Sequence, residues 1–440
     1  MRHVPVAAFA LAVAVAGGGG GAQRSGRPGE PSGQARFRSA VTLVPVDVRV
    51  IDDKTGKPVT DLTEDDFLIL EDGVGQRIAH FSRQVFTPVT PAEVAEFPES
   101  IPGSTPTLGG LPLRETPLSL RPQPNRVFMI VLGRGRLQEP SKGLDALIDF
   151  VRTKLLPQDY VSVFAYDRAT DFTTKHERVA EIVERFRKEN DAINTHVGAE
   201  LTGLAGIYGG KVLSKTARAK IDAVFDEAGS LTSRTLGSGE NTSTGDRLAG
   251  DSRKAIDGAL DELLASNRLG AGVSESAALA RPEITSWAAF DAFVASNAQA
   301  LQDLGNLYAA IGYMRHLDGE KHLVFVTEDG LLLPRGEDDE DLAAAASDAR
   351  VAIDVLQTGG VASGMRSMMG RRALRGIADD TGGTMSTVEM SRLALERIDE
   401  RTRSGYLLGY YPSNTRWDGT FRRIVVKVTR PHTTVQFRHG

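Results

Sequence analysis

The residues of this chain with the most chemical capacity follow directly on apolar runs. Gly133-Arg134-Gly135-Arg136 follows the charge-free run Val127–Leu132, and Asp167 follows YVSVFAY, Tyr160–Tyr166. A run such as Val127–Leu132, ended by glycine, reads as a strand buried on both faces. Leu144, Ile148, Phe150, Val151, Leu155 and Leu156 suit the helix after it, and YVSVFAY suits a second strand. Strand, crossover helix and strand within about forty residues make a parallel βαβ unit. Ligands of such sheets gather at the carboxyl ends of the strands, so any chemistry is expected near Gly133–Arg136, Asp167 and their equivalents later in the chain.

Familiar catalytic and phosphate-binding patterns fail on inspection. Gly133-Arg134-Gly135 lacks the third glycine of a dinucleotide fingerprint, because Gln138 stands there. Gly209-Gly210-Lys211 lacks the P-loop hydroxyl at Val212 and the leading glycine at Ala205. The 8 histidines show neither HExxH nor an i, i+4 pair, and there is no GxSxG elbow. A histidine beside a buried strand, such as His322, reads as structural. The acidic run Glu337–Asp341 reads as a solvated helix start, since its spacing lacks the order of an EF-hand.

Composition narrows the classes further. With 440 residues, several cores are expected. A hydrophobic share of 41% and a charged share of 25% are ordinary for a globular protein. The net charge of -5, with no concentration of Lys and Arg, argues against nucleic acid as a partner. Residues 1–22 have a basic start, a short apolar run (Val4–Ala16) and a small-residue end, the pattern of a secretory signal peptide. Periplasmic, cell-surface or extracellular localisation is therefore expected, with no membrane insertion once the signal is removed. The absence of cysteine excludes disulfides, thiolate metal sites and a lipid-modified Cys anchor.

The elements that must position the strand ends follow in order. Residues 23–40 are expected as a disordered lead and 41–84 as the first part of a small antiparallel β domain. There Val44, Val46, Val48 and Val50 alternate with polar residues, and FLILE and RIAHF flank a Gly turn. Residues 85–124 hold close to half of the chain's 20 prolines and read as an extended linker. An α/β domain is expected over 125–404. Its helix Glu177–Lys188 precedes a helical insertion, 189–286, in which Gly229–Gly250 reads as a mobile loop. Strands at Lys321–Thr327 and Val351–Gln357 resume the sheet, and the helix Arg371–Asp380 ends at Thr381-Gly382-Gly383. Residues 405–440 return to alternation at Ile424, Val426 and Val428 and complete the β domain. Of the aromatics, Tyr406, Tyr410 and Tyr411 are expected to be half core.

Taken together, YVSVFAY, HLVFVTEDG, VAIDVLQ and LRGIADDTGG resemble a von Willebrand factor type A domain. VDVRVIDDKTGKPVTDLTEDDFLILEDG and SGYLLGYYPSNTRWDGTFRRIVVKVTRP resemble the bacterial secreted VWFA-related proteins of acidobacterial type. The resemblance implies a Rossmann-like, doubly wound, mostly parallel sheet beside a small antiparallel β domain, a β-sandwich, built from N- and C-terminal strands. It also implies a metal-ion-dependent adhesion site, in which an Asp-x-Ser-x-Ser loop, a Thr and a later Asp hold Mg²⁺. Laid onto LGRGR, the Asp position falls on Leu132 and the Ser positions on Arg134 and Arg136. Leucine offers no oxygen and guanidinium repels a cation, so no metal and no cofactor are expected.

Two readings of Arg134 and Arg136 stand side by side. They replace the metal's charge and take a partner's carboxylate in bidentate pairs, or they pair with Glu328, Asp329 or Asp167, or lie in solvent. The expected function is an exported, non-enzymatic protein–protein interaction or adhesion-type module, metal-independent. Its partner-binding rim is Arg134, Arg136, Asp167, Glu328 and Asp329. The alternatives are a secreted hydrolase-type enzyme with the insertion as a lid, and a metal-dependent adhesin with unconventional ligands.

Overall fold

The computed structural model describes residues 43–94, 98–101, 123, 125–133, 142–166, 168–201, 215–226, 233–235, 303–327, 330–331, 333, 338–357, 365–387, 391–414 and 422–439. The first strands are β1 (Val44–Asp52), β2 (Phe67–Glu71), β3 (Val74–Gln76) and β4 (Ile78–Val85). In β1 the alternating valines Val46, Val48 and Val50 turn inward, as their period of two requires. A two-residue strand, β5 (Ser100–Ile101), lies inside the proline-rich stretch expected to be free of sheet. It pairs with Phe172–Thr173, and the Tyr160 hydroxyl donates to Pro98 O at 2.7 Å, so this part of the stretch is strapped to the sheet.

The central elements alternate. They are β6 (Arg126–Leu132), α1 (Lys142–Thr153), β7 (Tyr160–Ala165), β8 (Arg168–Thr170), β9 (Phe172–Thr173), α2 (His176–Leu201), α3 (Lys215–Asp226), β10 (Ser233–Thr235), α4 (303–314), β11 (Glu320–Thr327), α5 (Asp338–Asp348), β12 (Val351–Gln357), α6 (Met365–Asp380), β13 (Met385–Thr387) and α7 (Ser391–Thr402). Helix α2 runs well past the expected end at Lys188. Ile193 on it, with Ile221, Val224 and Phe225 on α3, enters the core, and β10 pairs antiparallel with β8 inside the stretch read as a loop. The described part of 189–286 is thus integrated into the sheet and its helical layer.

The nine-stranded sheet runs β10-β8-β7-β6-β11-β12-β13, with β5 and β9 paired off this path. Strands β6, β7, β11, β12 and β13 are parallel, while β8, β9 and β10 are antiparallel. The sheet is doubly wound and mostly parallel, with the order reversing between β6 and β11. Each central strand buries both faces, which is why its sequence is an unbroken apolar run. Phe128, Ile130, Leu132, Val324, Val326 and Leu356 face one core, covered by α1, α2, α3 and α7. Met129, Val131, Leu323, Phe325 and Val355 face the other, covered by α4, α5 and α6.

The chain closes with β14 (Ser404–Tyr410), β15 (Ile424–Val428) and β16 (Thr433–Phe437). The four-stranded sheet β16-β1-β14-β4 and the three-stranded sheet β15-β2-β3 enclose a third core of Val46, Val48, Phe67, Ile69, Leu408 and Val426. This is a small β-sandwich made from both ends of the described chain. Tyr406 and Tyr410 are buried in it, whereas Tyr411 is 53% exposed. Despite the separate cores, Val41–Gly440 forms a single compact unit.

Candidate functional site

The carboxyl ends of β6, β7 and β11 lie side by side: Leu132 pairs with Ala165 on β7 and Val326 on β11. Arg134, Arg136, Asp167, Glu328 and Asp329 all lie outside the described residues, but the stems that carry them are described. Leu132 is 1% exposed and packs into the core shared with Val326 and Leu356, so this position presents a hydrocarbon end to the sheet. Gly133 continues the pairing, its N–H donating to Val326 O at 2.7 Å. A Cβ there would stand 2.9 Å from that same oxygen, so glycine is what permits the close approach. Asp167 is flanked by two anchored residues. Tyr166, at φ 58°, donates its hydroxyl to Asn190 Oδ1 at 2.9 Å, and Arg168 Nε donates to Asp222 Oδ1 at 2.9 Å.

Sequence reasoning missed the polar residues that finish the strands. Thr327 ends β11, Gln357 ends β12, and the two are register partners. Thr327 Oγ1 donates to Gly330 O at 3.2 Å. Asp338, at the start of α5, is only 2% exposed, which corrects the expectation of a fully solvated acidic helix start. Its neighbours Glu340 and Asp341 are exposed, so one carboxylate of the run is turned inward and two are turned out.

The opposite, amino-terminal end of the sheet holds most of the buried charge. Arg126, the first residue of β6, is wholly buried. Its Nε and Nη2 donate to Asp159 at 3.2 and 2.5 Å, and its Nη1 to Asp399 Oδ1 at 3.0 Å and Thr402 Oγ1 at 2.8 Å. Beside it in register, Glu320 on β11 pairs with Arg49 from β1, and Arg49 Nη1 also reaches Gly382 O at 3.4 Å. Asp354 on β12 accepts from Arg401 on α7 at 3.1 Å and from Thr384 N at 2.9 Å. Asp47 on β1 accepts from Arg350 at 2.9 Å and from Arg438 at 2.6 Å. These contacts form a seam between the β-sandwich and the base of the α/β sheet.

Burial and partners pull these groups in opposite directions. Desolvation works to raise the Glu320 carboxyl, but Arg49 and His322 override it and hold it at about 2. Burial likewise works against the Asp47 carboxylate, yet Arg350 and Arg438 keep it well below the usual range. Lys321 is pushed down to about 7 by burial, with Arg350 and Arg438 adding repulsion. His322 is held below its ordinary value by burial, against the pull of Glu320. In the described chain His322 and His176 both sit at this end: His176 Nε2 is 2.8 Å from Asp159 O. The expected structural role of His322 matches its full burial. The seam left one signal in sequence, a charged Asp354 inside the apolar run VAIDVLQ.

Among the described residues no three His, Asp or Glu side chains gather as a set of metal ligands, and no helix is long and apolar enough to cross a membrane. No known protein family matches the sequence, and no curated protein does. Among solved structures, the TFIIH p34 N-terminal domain aligns with 63% of this chain and 97% of its own, at 14% identity and a TM-score of 0.23. The human COPII-coat protein Sec24c aligns with 74% of this chain and 44% of its own, at 6% identity and a TM-score of 0.30. At these values neither likeness carries an argument.

Proposed function

We propose that this chain is an exported, non-enzymatic protein-interaction module of von Willebrand factor type A-like architecture, related to the bacterial secreted VWFA-related proteins. Its carboxyl-end rim binds another protein without a metal ion, and Arg134 and Arg136 take a carboxylate of the partner. The observation that carries this reading is the separation of chemistry along the sheet. Among the described residues, the cluster of a histidine with carboxylates that hydrolysis would want at the rim lies at the base, where the His322 side chain is 0% exposed. The switch of strand order between β6 and β11 brings together the stems of the loops that carry the two arginines and Glu328-Asp329. Export rests on the composition of residues 1–22.

Two measurements test this. The melting temperature, titrated with Mg²⁺, Mn²⁺ and Ca²⁺ against EDTA, is expected to stay flat, because a ligand that binds only the folded state must raise it. A saturable rise points instead to the metal-dependent adhesin. Acidic peptides selected by display against the whole chain are expected to lose at least about tenfold in affinity on Arg134→Ala or Arg136→Ala. Binding indifferent to both substitutions removes the arginine reading.

A further inference from the structure

The imidazole of His322 is enclosed in the base of the sheet between carboxylates that other cations already hold. Its ring stacks on Phe128, centroids 5.1 Å apart and planes at 24°. Neither ring nitrogen has a hydrogen-bond partner. The nearest acceptors are Glu320 Oε1, 3.4 Å from Nε2, and Asp354 Oδ2, 4.0 Å from Nδ1. Both carboxylates are already engaged, Glu320 by Arg49 from β1 and Asp354 by Arg401 from α7. The cation that acts on the ring is Arg49, while Arg401 is held on Asp354 and Arg126 from β6 lies over the Phe128 ring at 5.1 Å. Lys321 lies on the other face, with Asp47, Arg350, Arg438 and Asp318 as its charged neighbours.

A proton added to this ring would compete with Arg49 and Arg401 for the same two carboxylates. Arg49 is the side chain that ties β1 to β11, and the imidazolium would add a second cation beside it. We propose that His322 is an acid-sensitive latch, whose protonation releases β1 of the β-sandwich from the base of β11. The released state carries a histidine of ordinary pKa, near 6.5, and the latched state one depressed by burial. Latching is therefore at full strength above pH 6.5 and is lost as pH falls below it. In that window the opening constant rises by up to about tenfold per pH unit, the slope of one proton taken up on opening.

Hydrogen–deuterium exchange of the whole chain between about pH 7.5 and pH 5, corrected for the intrinsic pH dependence of amide exchange, reads this directly. Peptides over Val44–Asp52 and Glu320–Thr327 are expected to exchange faster as pH falls, while those over Lys142–Thr153 do not change. His322→Phe keeps an aromatic ring without a titrating nitrogen and is expected to abolish the rise. A flat wild-type profile, an equal rise in the variant, or simultaneous acceleration of α1 overturns the latch. If His322→Phe does not fold, an NMR titration of the wild-type histidine rings decides. A His322 ring that titrates in step with strand opening supports the proposal, and one still neutral when β1 is already exchanging freely sinks it.

Discussion

At the base of the parallel sheet Arg126, Glu320 and Asp354 are withdrawn from water and matched with Asp159 just before β7, Arg49 from β1 and Arg401 from α7, whereas at the rim the same strands end on Leu132, Thr327 and Gln357. Ion pairs at the base pay a desolvation penalty that can exceed their attraction, so they are better read as fixing one docking of sandwich on sheet than as adding stability. The rim stems follow another rule. Leucine and glycine close the packing, and the charged residues are passed to the loops. The described part of one sheet therefore keeps its buried ion pairs at the base and its apolar stems at the rim.

Substitutions at the two ends sharpen that contrast. Arg126→Met leaves Asp159 buried without its cation and Asp399 with Arg403 alone, and a loss of about 3–5 kcal/mol in urea denaturation is expected. A loss under about 1 kcal/mol means water reaches the base after all. Leu132→Ala is expected to cost about 3 kcal/mol by cavity formation, because the side chain belongs to the core. A neutral result returns Leu132 to the rim surface. Glu320, with a folded value of about 2 against an ordinary 4.5, contributes stability that is present above pH 4.5 and lost as pH falls toward 2. That acid limb is expected to be on the order of 2 kcal/mol in denaturation curves taken across the window. At the far end of the scale, Arg152 on α1 pairs with Glu177 and Glu184 on α2 at the surface. Arg152→Ala is expected to change stability by less than about 1 kcal/mol.

The sequence told one end of this sheet better than the other. Strands β6, β7, β11 and β12 were readable to within a residue, since strands buried on both faces need long charge-free runs. The expectation that the rim lies at their carboxyl ends followed from that pattern, whereas the switch of order between β6 and β11 came from the structure. The seam was not readable, because a lone Arg126 or Glu320 at a strand start looks like any solvated charge. Its partners Asp399 and Arg49 are remote in sequence, so no periodicity reports the pairing. Helix α2 ran beyond Lys188 because Ile193 finds a core that α3 helps to build, a tertiary reason invisible to a local window. Asp338 was likewise hidden by its acidic neighbours.

One pairing has a bearing on how the molecule is made. Val44 lies opposite Tyr410, and Val48 opposite both Tyr406 and Phe437, so β1 finds its neighbours only after nearly the whole described chain has been synthesised. Contacts of such sequence separation form slowly, because a long loop must close before they are rewarded. Until then β1 has two open edges and a row of valines that other chains can pair with. The β-sandwich is thus the last stitch of folding, and shielding the nascent β1 is what this architecture asks of the cell.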